Sequence, residues 1–597
     1  MPLINKNNTI SEELEKKRHS LAHIMAYAVK KHYKNVKLGI GPSIENGFYY
    51  DFDLDQTISE KDLKEITKTI KKLIASNITF EKKVYSIEEE KKIFEKENEI
   101  YKLELIDDLS NAGEKEVSVY YSGDFFDLCK GPHVKSSSEI NIDGFILDRV
   151  SGAYWKGDEK NKMMQRIYGI YFDTKEELDN FLKTREEAKK RDHRVIGKEM
   201  KLFMISETIG KGLPLLLPRG ATIRRILERF TVDEEIKRGY QHVYTPVLGS
   251  IDLYKISGHL DHYKDSMYSP IDIDGELFIL RPMTCPHHFI MYKNEIHSYK
   301  DLPVRYAEIS PLYRYEKSGE LTGLIRLRNF TLADAHILVT KEQIKEEMYK
   351  VIDLIKFMMD SLGISQKAWY RASLGDRSNK DKYIDAPELW DESEKIILEI
   401  CEELDLPYTV AKNEAAFYGP KIDVQLTNVY GKEDTAFTVQ IDFALSERFD
   451  LFYIDSDGNK KRPIIIHRSS IGCFERTMAF LIEHYEGKFP LWLAPEQIIF
   501  IPVAQIHNDY ILKLSEEFKK EGVRVNIDLR DESLSKKIRE ARLERYPYIA
   551  IAGDNEVSKN TLTIRNRDTG IQKEYDKNHV LQTILMEDKT RSLKLNL

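Results

Sequence analysis

The 597-residue sequence has few cysteines and no long apolar run. Its cysteines lie far apart, without the spacing of a disulfide framework: Cys129, Cys285, Cys401 and Cys473. The polar start MPLINKNNTI lacks the apolar segment of a signal peptide. No apolar run approaches the roughly 18 residues that cross a bilayer. We therefore predict a reduced, cytoplasmic protein without membrane contact.

Two common nucleotide-binding loops are also absent. The sequence contains neither G-x-x-x-x-G-K-[ST] nor G-x-G-x-x-G, so any bound phosphate must be held by other means. The net charge is −8, so contact with nucleic acid must depend on local basic patches. A hydrophobic share of 41% is enough for several cores. The length favours roughly three to five domains.

The N-terminal third is predicted to mix helices and strands. Residues 10–31 have the apolar period of a helix, which begins with the capping box TISE, Thr9 to Glu12. The other predicted elements are a strand at 47–54, helices at 57–75 and 86–97, and a strand-rich stretch at 116–150. Segment 174–194 opens with a second capping box and then becomes almost entirely charged. This pattern indicates a solvated helix between two bodies, so the first domain boundary is predicted there.

From residue 495 onward, short apolar strands alternate with amphipathic stretches. The strands are QIIFIPV, VRVNIDL and YIAIAG, and the stretches between them are DYILKLSEEFKKEG and SLSKKIREARLERY. This alternation predicts a small α/β domain with a mostly parallel sheet. The second amphipathic stretch carries a basic run that fits a solvated face or a nucleic-acid surface: Lys536, Lys537, Arg539, Arg542 and Arg545.

Three segments of the middle region carry the chemistry. Residues 221–248 are predicted to form a long helix, a glycine turn and a strand that ends at Pro246. Residues 305–337 read as two strands around a polar loop, and 464–485 as an apolar strand that leads into a helix containing Arg476. Arginines that face a polyphosphate make charge-assisted, often bidentate contacts, so they can hold ATP without a glycine-rich loop. Taken singly, each arginine is more often a surface residue.

Two pairs of possible metal ligands occur in the N-terminal third. HSLAH places His19 and His23 four residues apart, which is one face of a helix. DLCKGPH places Cys129 and His133 at the same separation. Spacing alone fits a four-ligand zinc site, and surface histidines are the plainer alternative.

The three middle segments resemble motifs 1, 2 and 3 of the class II aminoacyl-tRNA synthetases. Nearly the full chain resembles threonyl-tRNA synthetases, most specifically in LRPMTCPHH, FYGPKID, TVQIDF, IIIHRSSIG and YWKGDEKNKMMQRIYG. The resemblance implies a multidomain α+β protein with an antiparallel-sheet catalytic domain. Its implied parts are an α+β editing domain at 1–173, a linker helix at 174–194, the catalytic domain at 195–494 and an α/β anticodon-binding domain at 495–597. Few residues precede the first helix, so the family's small ubiquitin-like N-terminal domain is expected to be missing.

The resemblance assigns the ATP site to matching positions. Arg314, within YRYE, would bind the α-phosphate, and Glu316 would meet the adenine amino group. Arg326 and Arg476 would hold the β- and γ-phosphates, which Mg²⁺ would bridge. Lys421 would lie near the phosphates. The implied reaction is attack of the L-threonine carboxylate on the α-phosphorus, followed by transfer to tRNA(Thr).

The resemblance also implies one zinc ion per chain. Cys285, His336 and His467 match the family's ligands and leave the fourth position open. A lone histidine on an apolar strand is by default a core residue, but here all three positions match together. The implied threonine contacts beside the metal are Asp334, Tyr418 and Gln440.

A second, hydrolytic site is expected because serine differs from threonine by one methyl group. Such a difference is worth only about 1–3 kcal/mol, so binding alone rejects serine poorly; synthetases are the standard illustration of this limit. The resemblance assigns hydrolysis of seryl-tRNA(Thr) to a pocket that holds water and no metal. Its residues are His19, His23, Cys129 and His133, with Lys102 nearby.

A homodimer is expected because the helix 221–238 matches motif 1, which forms the dimer interface in the family. Its apolar residues exceed what one core face requires: Ile223, Ile226, Leu227 and Phe230.

In the C-terminal domain, Glu556 and Arg565 match positions that read anticodon bases. Three departures from the family pattern are Asp531 for asparagine, Leu332 for glutamine, and EDTAF at 433–437 for a segment with Trp-Gln. Aspartate cannot donate a hydrogen bond, so base contact at Asp531 is in doubt.

Two alternatives belong to other function classes, and a third is a related synthetase. A synthetase-derived RNA-binding protein would be favoured by loss of Arg314, Arg476 or a zinc ligand, and none is lost. A free-standing editing hydrolase fits poorly with the intact ATP-site residues. A class II synthetase for proline or serine does not fit the set Cys285, His336 and His467.

Overall fold

The computed structural model describes residues 12–597 and divides the chain into two compact units, Met1–Glu187 and Ala188–Leu597. The capping residue Thr9 lies outside the described residues. The boundary between the units falls within the charged segment 174–194. The finer division into four parts stays a prediction. Within the described range, no helix combines the length and the apolar character that crossing a membrane requires.

Unit 1 contains helices and two sheets. Its helices are α1 (Glu12–His32), α2 (Glu60–Ala75), α3 (Ile87–Lys96) and α4 (Ile100–Asn111), with α5 (Lys175–Arg191) at its end. Its strands are β1 (Lys37–Leu38), β2 (Ser43–Ile44), β3 (Gly47–Asp53), β4 (Phe80–Ser86), β5 (Glu116–Ser122), β6 (Phe125–Leu128), β7 (Phe145–Tyr154) and β8 (Met163–Tyr171). One sheet has the order β1-β3-β8-β7, with β2 paired to β3, and the other has the order β4-β5-β6. The predicted elements of this region are confirmed to within a few residues.

Helix α1 is buried along its second half. Leu21, Met25, Ala28 and Val29 recur at helical spacing and are fully buried in the core of unit 1. The helix is buried on all sides from Ser20 to Val29, so His23, which lies on another face, is only 2% exposed. The position of α1 inside unit 1 therefore places a histidine where water is scarce.

The charged segment forms two helices instead of one. The capping box predicted at its start is present, because Glu177 N donates to Thr174 Oγ1 and Thr174 N donates to Glu177 Oε2. Helix α5 ends at Arg191, and the side chain of Asp192 accepts from the Arg194 backbone N–H. Asp192 thereby caps a second helix and interrupts the one that the sequence predicts across 174–194.

Unit 2 contains the remaining elements. Its helices are α6 (His193–Glu199), α7 (Pro218–Lys237), α8 (Ile251–Ile256), α9 (His259–His262), α10 (Cys285–Lys293), α11 (Ile344–Ser361), α12 (Pro387–Glu403), α13 (Leu445–Arg448), α14 (Phe474–Tyr485), α15 (Asn508–Lys520), α16 (Leu534–Leu543), α17 (Asp554–Lys559) and α18 (Lys577–Thr590). Its strands up to residue 313 are β9 (Phe203–Met204), β10 (Leu215–Leu216), β11 (Gln241–His242), β12 (Leu248–Ser250), β13 (Ile271–Ile273), β14 (Glu276–Leu280), β15 (His297–Ser298) and β16 (Val304–Tyr313). Those that follow are β17 (Asn329–Val339), β18 (Ala368–Leu374), β19 (Tyr408–Lys412), β20 (Lys421–Thr427), β21 (Glu433–Asp442), β22 (Tyr453–Ile454), β23 (Lys460–Lys461), β24 (Ile464–Cys473), β25 (Ile498–Pro502), β26 (Val525–Ile527), β27 (Tyr548–Ala552), β28 (Thr561–Asn566) and β29 (Gln572–Asp576).

The central sheet of unit 2 has the order β11-β16-β17-β24-β21-β20-β18-β19. Pairing is antiparallel from β16 through β18, and the two edge strands pair in parallel. The strands and helix predicted for the second and third middle segments are confirmed as β16, β17, β24 and α14. The antiparallel sheet expected for the middle region is therefore present.

Strand register aligns four predicted site residues across this sheet. His336 on β17 lies opposite His467 on β24, and His467 lies opposite Gln440 on β21. Gln440 in turn lies opposite Lys421 on β20. Directly paired positions place their side chains on the same face of a sheet. Residues that are far apart in the sequence thus form one row.

The first middle segment differs from its prediction in two respects. The expected strand up to Pro246 is only the two-residue strand β11. After it, Tyr244 is 93% exposed, and Pro246 has no N–H to continue a ladder. The helix α7 also buries its apolar residues within its own unit: Ile223, Leu227 and Phe230 belong to the core, and Ile226 packs against it. The inference that these residues exceed the needs of one core is therefore wrong.

The C-terminal sheet has the order β26-β25-β27-β28-β29. Its three predicted strands pair in parallel, as expected. The other two pairings are antiparallel. After β27 and the short helix α17, β28 pairs antiparallel with β27, and β29 then forms a hairpin with β28. The expectation of a mostly parallel sheet is wrong for this half, which the alternation of apolar segments did not reveal.

Candidate functional site

A cavity of about 490 Å³ is lined by side chains of β16, β17, β20, β21 and β24. It gathers all the residues that the resemblance assigns to ATP, threonine and zinc: Cys285, Arg314, Glu316, Arg326, Asp334, His336, Tyr418, Lys421, Gln440, His467 and Arg476. The first and last of these are 191 positions apart in the sequence, so the sheet is what brings them together. We call this cavity the synthetic site.

Three donors at one end of the synthetic site have the geometry of a metal centre. The ligand atoms of Cys285, His336 and His467 all lie within 4.8 Å of one another. The three residues are 3%, 1% and 7% exposed, and burial raises the pKa of the Cys285 thiol well above its usual range. One thiol and two imidazoles are the donors that zinc prefers, and a thiolate buried this deeply needs a cation beside it. The residues therefore fit zinc.

The ring of His467 is oriented by a buried carboxylate. His467 Nε2 lies 2.8 Å from Asp442 Oδ2, while Asp442 Oδ1 accepts from the backbone N–H groups of Ala444 and Leu445. A carboxylate behind an imidazole fixes the ring and raises its basicity. The Asp442 contact leaves Nδ1 of His467 for a ligand.

Two arginines bring positive charge into the synthetic site. Arg476 Nε donates to Ile325 O at 3.1 Å, and one terminal nitrogen donates to Thr435 O at 2.9 Å. Arg314 Nε donates to Pro282 O at 3.4 Å, and its guanidinium lies 5.1 Å from the ring centre of Phe330. Carbonyl contacts orient a guanidinium without neutralising it. Among the described residues, neither arginine forms an ion pair, so both charges are available to an anion.

Other predicted residues of the synthetic site already have partners. Arg326 Nε lies 2.8 Å from Glu316 Oε2, and Lys421 Nζ lies 2.6 Å from the buried carboxylate of Asp423. Tyr418 donates to Gln440 Oε1 at 2.6 Å. The Tyr418 ring also stacks on His467, with ring centres 5.0 Å apart. These contacts hold the side chains in place on both the phosphate side and the metal side of the cavity.

The two departures from the family pattern in this region lie on the cavity wall. Leu332 lines it, as do Thr435, Ala436 and Phe437 of the segment 433–437. The carbonyl of Thr435 is the one that accepts from Arg476. A backbone acceptor does not depend on side-chain identity, so this contact tolerates the change in sequence.

The second predicted site lies in unit 1. The ligand atoms of His19, His23, Cys129 and His133 all lie within 4.8 Å of one another. Cys129 Sγ is 3.3 Å from His19 Nε2 and 3.4 Å from His133 Nε2. His133 Nδ1 is 3.1 Å from Ser20 Oγ, the hydroxyl that follows His19 in α1. The sequence pairs that lie 100 residues apart therefore form one cluster, which we call the histidine cluster.

The histidine cluster is poor in charge. Burial lowers the pKa of His19, His23 and His133 and raises the pKa of the Cys129 thiol to about 12. Near pH 7 the imidazoles are therefore neutral, and each keeps one nitrogen as an acceptor. His23 Nδ1 is buried and has no hydrogen-bond partner among the described residues. A buried unpaired nitrogen indicates a place for water or substrate.

Two residues next to the histidine cluster, Tyr50 and Asp127, were not predicted from the sequence. Lys102 Nζ lies 2.6 Å from Asp127 Oδ1 and 3.1 Å from the hydroxyl of Tyr50, which also donates to Asp127. Asp127 Oδ2 is 3.7 Å from His23 Nε2. Asp127 opens the string DLCKGPH and could have been noticed there. Tyr50 alternates with Phe48 and Phe52 on the buried aromatic face of β3, so the sequence carries no separate signal for it.

The predicted anticodon residues lie on one part of the C-terminal sheet. Glu556 on α17 accepts from Thr563 Oγ1 at 2.7 Å and from the Gly553 N–H at 2.8 Å. Arg565 follows Thr563 by two positions on β28, which places both side chains on the same face. Asp531 is exposed before α16. The contact with Thr563 therefore brings Glu556 next to the strand that carries Arg565.

A third group of possible ligands consists of Asp192, His193 and Glu483. His193 Nδ1 is 2.7 Å from Glu483 Oε1, and His193 Nε2 accepts from the Leu324 N–H at 3.1 Å. Both ring nitrogens are thus occupied by protein groups. This buried group connects α6, α14 and the loop between β16 and β17, and it leaves no nitrogen for a metal.

Three family models match the chain. The tRNA synthetase class II core domain (G, H, P, S and T) matches residues 268–485, and the anticodon binding domain matches residues 497–587. The threonyl and alanyl tRNA synthetase second additional domain matches residues 117–168. The last range includes Cys129 and His133 of the histidine cluster.

Individual proteins match over most of the chain. The threonine–tRNA ligase of Geobacillus sp. (strain WCH70) is 50% identical over 555 residues, which cover 93% of this chain and 85% of that protein. The threonine–tRNA ligase of Staphylococcus aureus (strain Newman) is 48% identical over 578 residues, which cover 96% and 88%. The crystal structure of the RNA binding domain of threonyl-tRNA synthetase from Cryptosporidium parvum Iowa II is 33% identical. It superposes with a TM-score of 0.63 and covers 68% of this chain and 99% of that one.

Proposed function

The chain belongs to the threonine–tRNA ligase family, and from this premise we propose how its residues divide the work. It is a class II aminoacyl-tRNA ligase that uses ATP to couple threonine to tRNA(Thr), and it carries an editing domain against seryl-tRNA(Thr). The predicted fold class is confirmed by the matching core, anticodon-binding and editing domains. The rival RNA-binding and free-standing hydrolase functions have no observation in their favour.

The arginines of the synthetic site bind ATP. Arg314 holds the α-phosphate, where charge develops as the threonine carboxylate forms an O–P bond and pyrophosphate leaves. Arg326 and Arg476 hold the β- and γ-phosphates, and Mg²⁺ bound with ATP would add further positive charge beside them. Glu316 accepts from the adenine amino group, and Lys421 adds positive charge near the phosphates. Alignment and charge suffice for this reaction, because a carboxylate already is the nucleophile.

Zinc at Cys285, His336 and His467 would supply a Lewis acid that binds the amino and hydroxyl groups of threonine. Three protein donors would leave the rest of the coordination sphere to the amino acid, which is the feature that distinguishes catalytic from structural sites. Asp334, two residues before His336 on β17, accepts from the amino group of threonine. Beside it, Tyr418 and Gln440, already hydrogen-bonded to each other, form the wall of the amino acid pocket.

This chemistry separates threonine from valine but not from serine. Valine is isosteric with threonine and lacks the hydroxyl, so it loses a polar contact that the site is built to make. Serine keeps both polar groups and loses only a methyl group, worth about 1–3 kcal/mol. The synthetic site therefore produces some seryl-tRNA(Thr), and a second site must remove it.

The histidine cluster performs that removal. His19, His23, Cys129 and His133 hold a water through neutral acceptors and donors, and the unpaired Nδ1 of His23 supports this role. Lys102 brings a charge that suits the RNA backbone or the ester, and Asp127 holds it in place. The water attacks the ester carbonyl and the ribose oxygen leaves. No metal takes part in this proposal.

The remaining proposals concern partners. Glu556 and Arg565 contact anticodon bases through their acceptor and donor groups. The chain forms a homodimer, which is supported by a small sheet, β12-β14-β13, four of whose apolar side chains are at least 37% exposed: Leu248, Ile271, Ile273 and Leu277. A cytoplasmic location follows from tRNA, ATP and threonine as substrates.

One observation carries the assignment of the synthetic site: metal donors and phosphate-binding arginines line the same cavity. ATP–pyrophosphate exchange with single amino acids tests it. Threonine should support rapid exchange, serine slower exchange, and valine close to none. Arg314→Ala and Arg476→Ala should each abolish exchange with threonine, whereas exchange that persists in both variants would contradict the assignment.

A further inference from the structure

A buried chain of hydrogen-bonding groups lies behind one of the proposed zinc ligands. His336 Nδ1 is 2.9 Å from His288 Nδ1, and His288 Nε2 is 3.3 Å from Glu308 Oε2. The three side chains are all 2% exposed or less. His288 comes from α10, the helix that begins at Cys285, and Glu308 comes from β16, which pairs with β17. These hydrogen-bonded side chains therefore link the two elements, α10 and β17, that carry two of the three donors.

Donor and acceptor counting assigns the protons in this chain. A carboxylate only accepts, so the proton between His288 and Glu308 belongs to His288 Nε2. A neutral imidazole carries one proton, so His288 Nδ1 is an acceptor and the remaining proton sits on His336 Nδ1. His336 Nε2 then keeps a free lone pair. This nitrogen lies on the side of Asp334, whose Oδ1 is 4.0 Å away.

Glu308, at the far end of this series of hydrogen bonds, is held in its charged form by its neighbours. Glu308 Oε1 accepts from Arg281, which is fully buried, at 2.9 Å, and Glu308 Oε2 accepts from Thr245 Oγ1 at 2.7 Å. Burial opposes the charge of Glu308, but the hydrogen bonds from His288, Arg281 and Thr245 lower its pKa to about 2. The carboxylate is therefore ionised at any working pH and cannot reverse the direction of the chain.

We propose that His288 and Glu308 are positioning residues of the metal centre. They hold His336 in the tautomer and ring orientation that leave Nε2 free for zinc, in a relay from Glu308 through His288 to His336. The proposal rests on the metal site of the proposed function. It differs from the support of His467, whose Nε2 contacts Asp442 directly. Partners behind a metal ligand typically change metal affinity by about 10- to 100-fold.

Three substitutions test the relay, with zinc affinity measured by competition against a chromogenic chelator. His288→Leu removes both contacts and should weaken zinc binding by about 10- to 100-fold. His288→Gln should retain most of the affinity, because its carbonyl can accept from His336 while its NH₂ donates to Glu308. His287→Leu is the matched control, since this neighbouring, half-buried histidine belongs to the same helix and is not a member of the donor group formed by the described residues Cys285, His336 and His467. Cobalt-substituted protein adds a spectroscopic readout of ligand geometry, which should change only in His288→Leu.

The steady-state kinetics of these variants should change in parallel with their zinc affinity. The KM for threonine should rise in His288→Leu while the KM for ATP stays within twofold, which general loss of structure would not produce. Glu308→Gln, which can donate to His288 and so reverse the relay, should lie between His288→Leu and His287→Leu in zinc affinity. If His288→Leu does not fold, Glu308→Gln still tests the relay.

Two outcomes separate the relay from the metal site. If Cys285→Ser loses zinc but His288→Leu and Glu308→Gln bind it as tightly as His287→Leu, the relay is overturned and the metal site stands. If Cys285→Ser keeps full zinc, the metal site itself fails and the relay fails with it.

Discussion

Arg326 and Glu316 form an ion pair in the synthetic site, with Arg326 Nε 2.8 Å from Glu316 Oε2. The proposed function gives these residues different parts of ATP, a phosphate and the adenine ring. ATP must therefore separate the pair. Because the side chain of Arg326 is 49% exposed, the separation costs little, at most about 1 kcal/mol.

Arg326→Ala should lower kcat/KM for ATP by about 10- to 100-fold. The lost contact is a hydrogen bond to a charged group, worth about 1.5–3 kcal/mol, and the small cost of breaking the ion pair offsets little of it. The KM for threonine should not change. Lys317→Ala, an exposed charge in the same loop, is the control. Equal ATP kinetics in the two variants would remove Arg326 from the phosphate site.

Cys285→Ser should abolish zinc binding and threonine activation. The substitution removes the one soft, charged donor and leaves two neutral imidazoles. Metal content by elemental analysis and ATP–pyrophosphate exchange measure the two effects. Cys401→Ser, at a fully buried cysteine in α12, controls for the effect of a hydroxyl in the core of unit 2. Full zinc occupancy in Cys285→Ser would refute the ligand assignment.

His23→Ala should leave threonine activation and charging close to normal and should accumulate seryl-tRNA(Thr). Deacylation of pre-formed seryl-tRNA(Thr) measures the loss, with and without a chelator. His32→Ala, at an exposed histidine of the same helix, should deacylate like the native protein. The four donors of the histidine cluster also fit the geometry of a metal site. A native editing rate that falls on chelation would therefore favour zinc over water.

Glu90→Met should stabilise unit 1 at alkaline pH. The carboxylate is fully buried without a hydrogen-bond partner among the described residues, and burial raises its pKa to about 7. The folded state therefore prefers the protonated form, and its stability falls as the pH rises from about 4.5 to 7. A shift of this size corresponds to about 3 kcal/mol at pH 8. The variant should lack this pH dependence.

Hydrogen exchange of the peptide that spans α3 and α4, corrected for the intrinsic rate at each pH, measures this local stability. Glu88→Met, at an exposed position in the same turn, should keep the native pH dependence. Protection that does not change between pH 5 and 8 in the native protein would show that Glu90 is not the responsible group.

Ile273→Asp should convert the proposed homodimer to a monomer at micromolar concentration. A charge within an apolar interface must be desolvated in both copies, which is unfavourable without a partner. Sedimentation velocity distinguishes the two species. Val84→Asp, at an exposed apolar residue of unit 1, should not change the sedimentation coefficient. A native protein that sediments as a monomer would reject the dimer.

Local patterns predicted most of the elements. The capping box at Thr174 and the apolar period of α1 depend only on neighbours in the chain, so the sequence displays them directly. The failures depend on distant contacts. The strand before Pro246 is a two-residue edge strand that pairs with β16, and the C-terminal sheet gains an antiparallel hairpin that no apolar pattern marked.

The sites were predictable where a family pattern existed and not elsewhere. Spacing alone placed His19 with His23 and Cys129 with His133, but only the resemblance joined the two pairs. Tyr50 was not predicted because it lies between Phe48 and Phe52 on the buried aromatic face of β3, where a tyrosine looks like a core residue. The relay through His288 escaped for a related reason: its partners lie on other elements, and nothing in MTCPHH distinguishes the second histidine from the first.

The three proposed zinc donors lie at positions 285, 336 and 467 of the 597-residue chain, and the last of them belongs to the last strand of the central sheet. A ribosome delivers these donors in that order. Until β24 has emerged and paired with β17, a growing chain offers only two of the proposed donors. If the proposed site holds zinc, metal uptake would follow the completion of the sheet, and a polypeptide that stops short of β24 would lack one of the three donors.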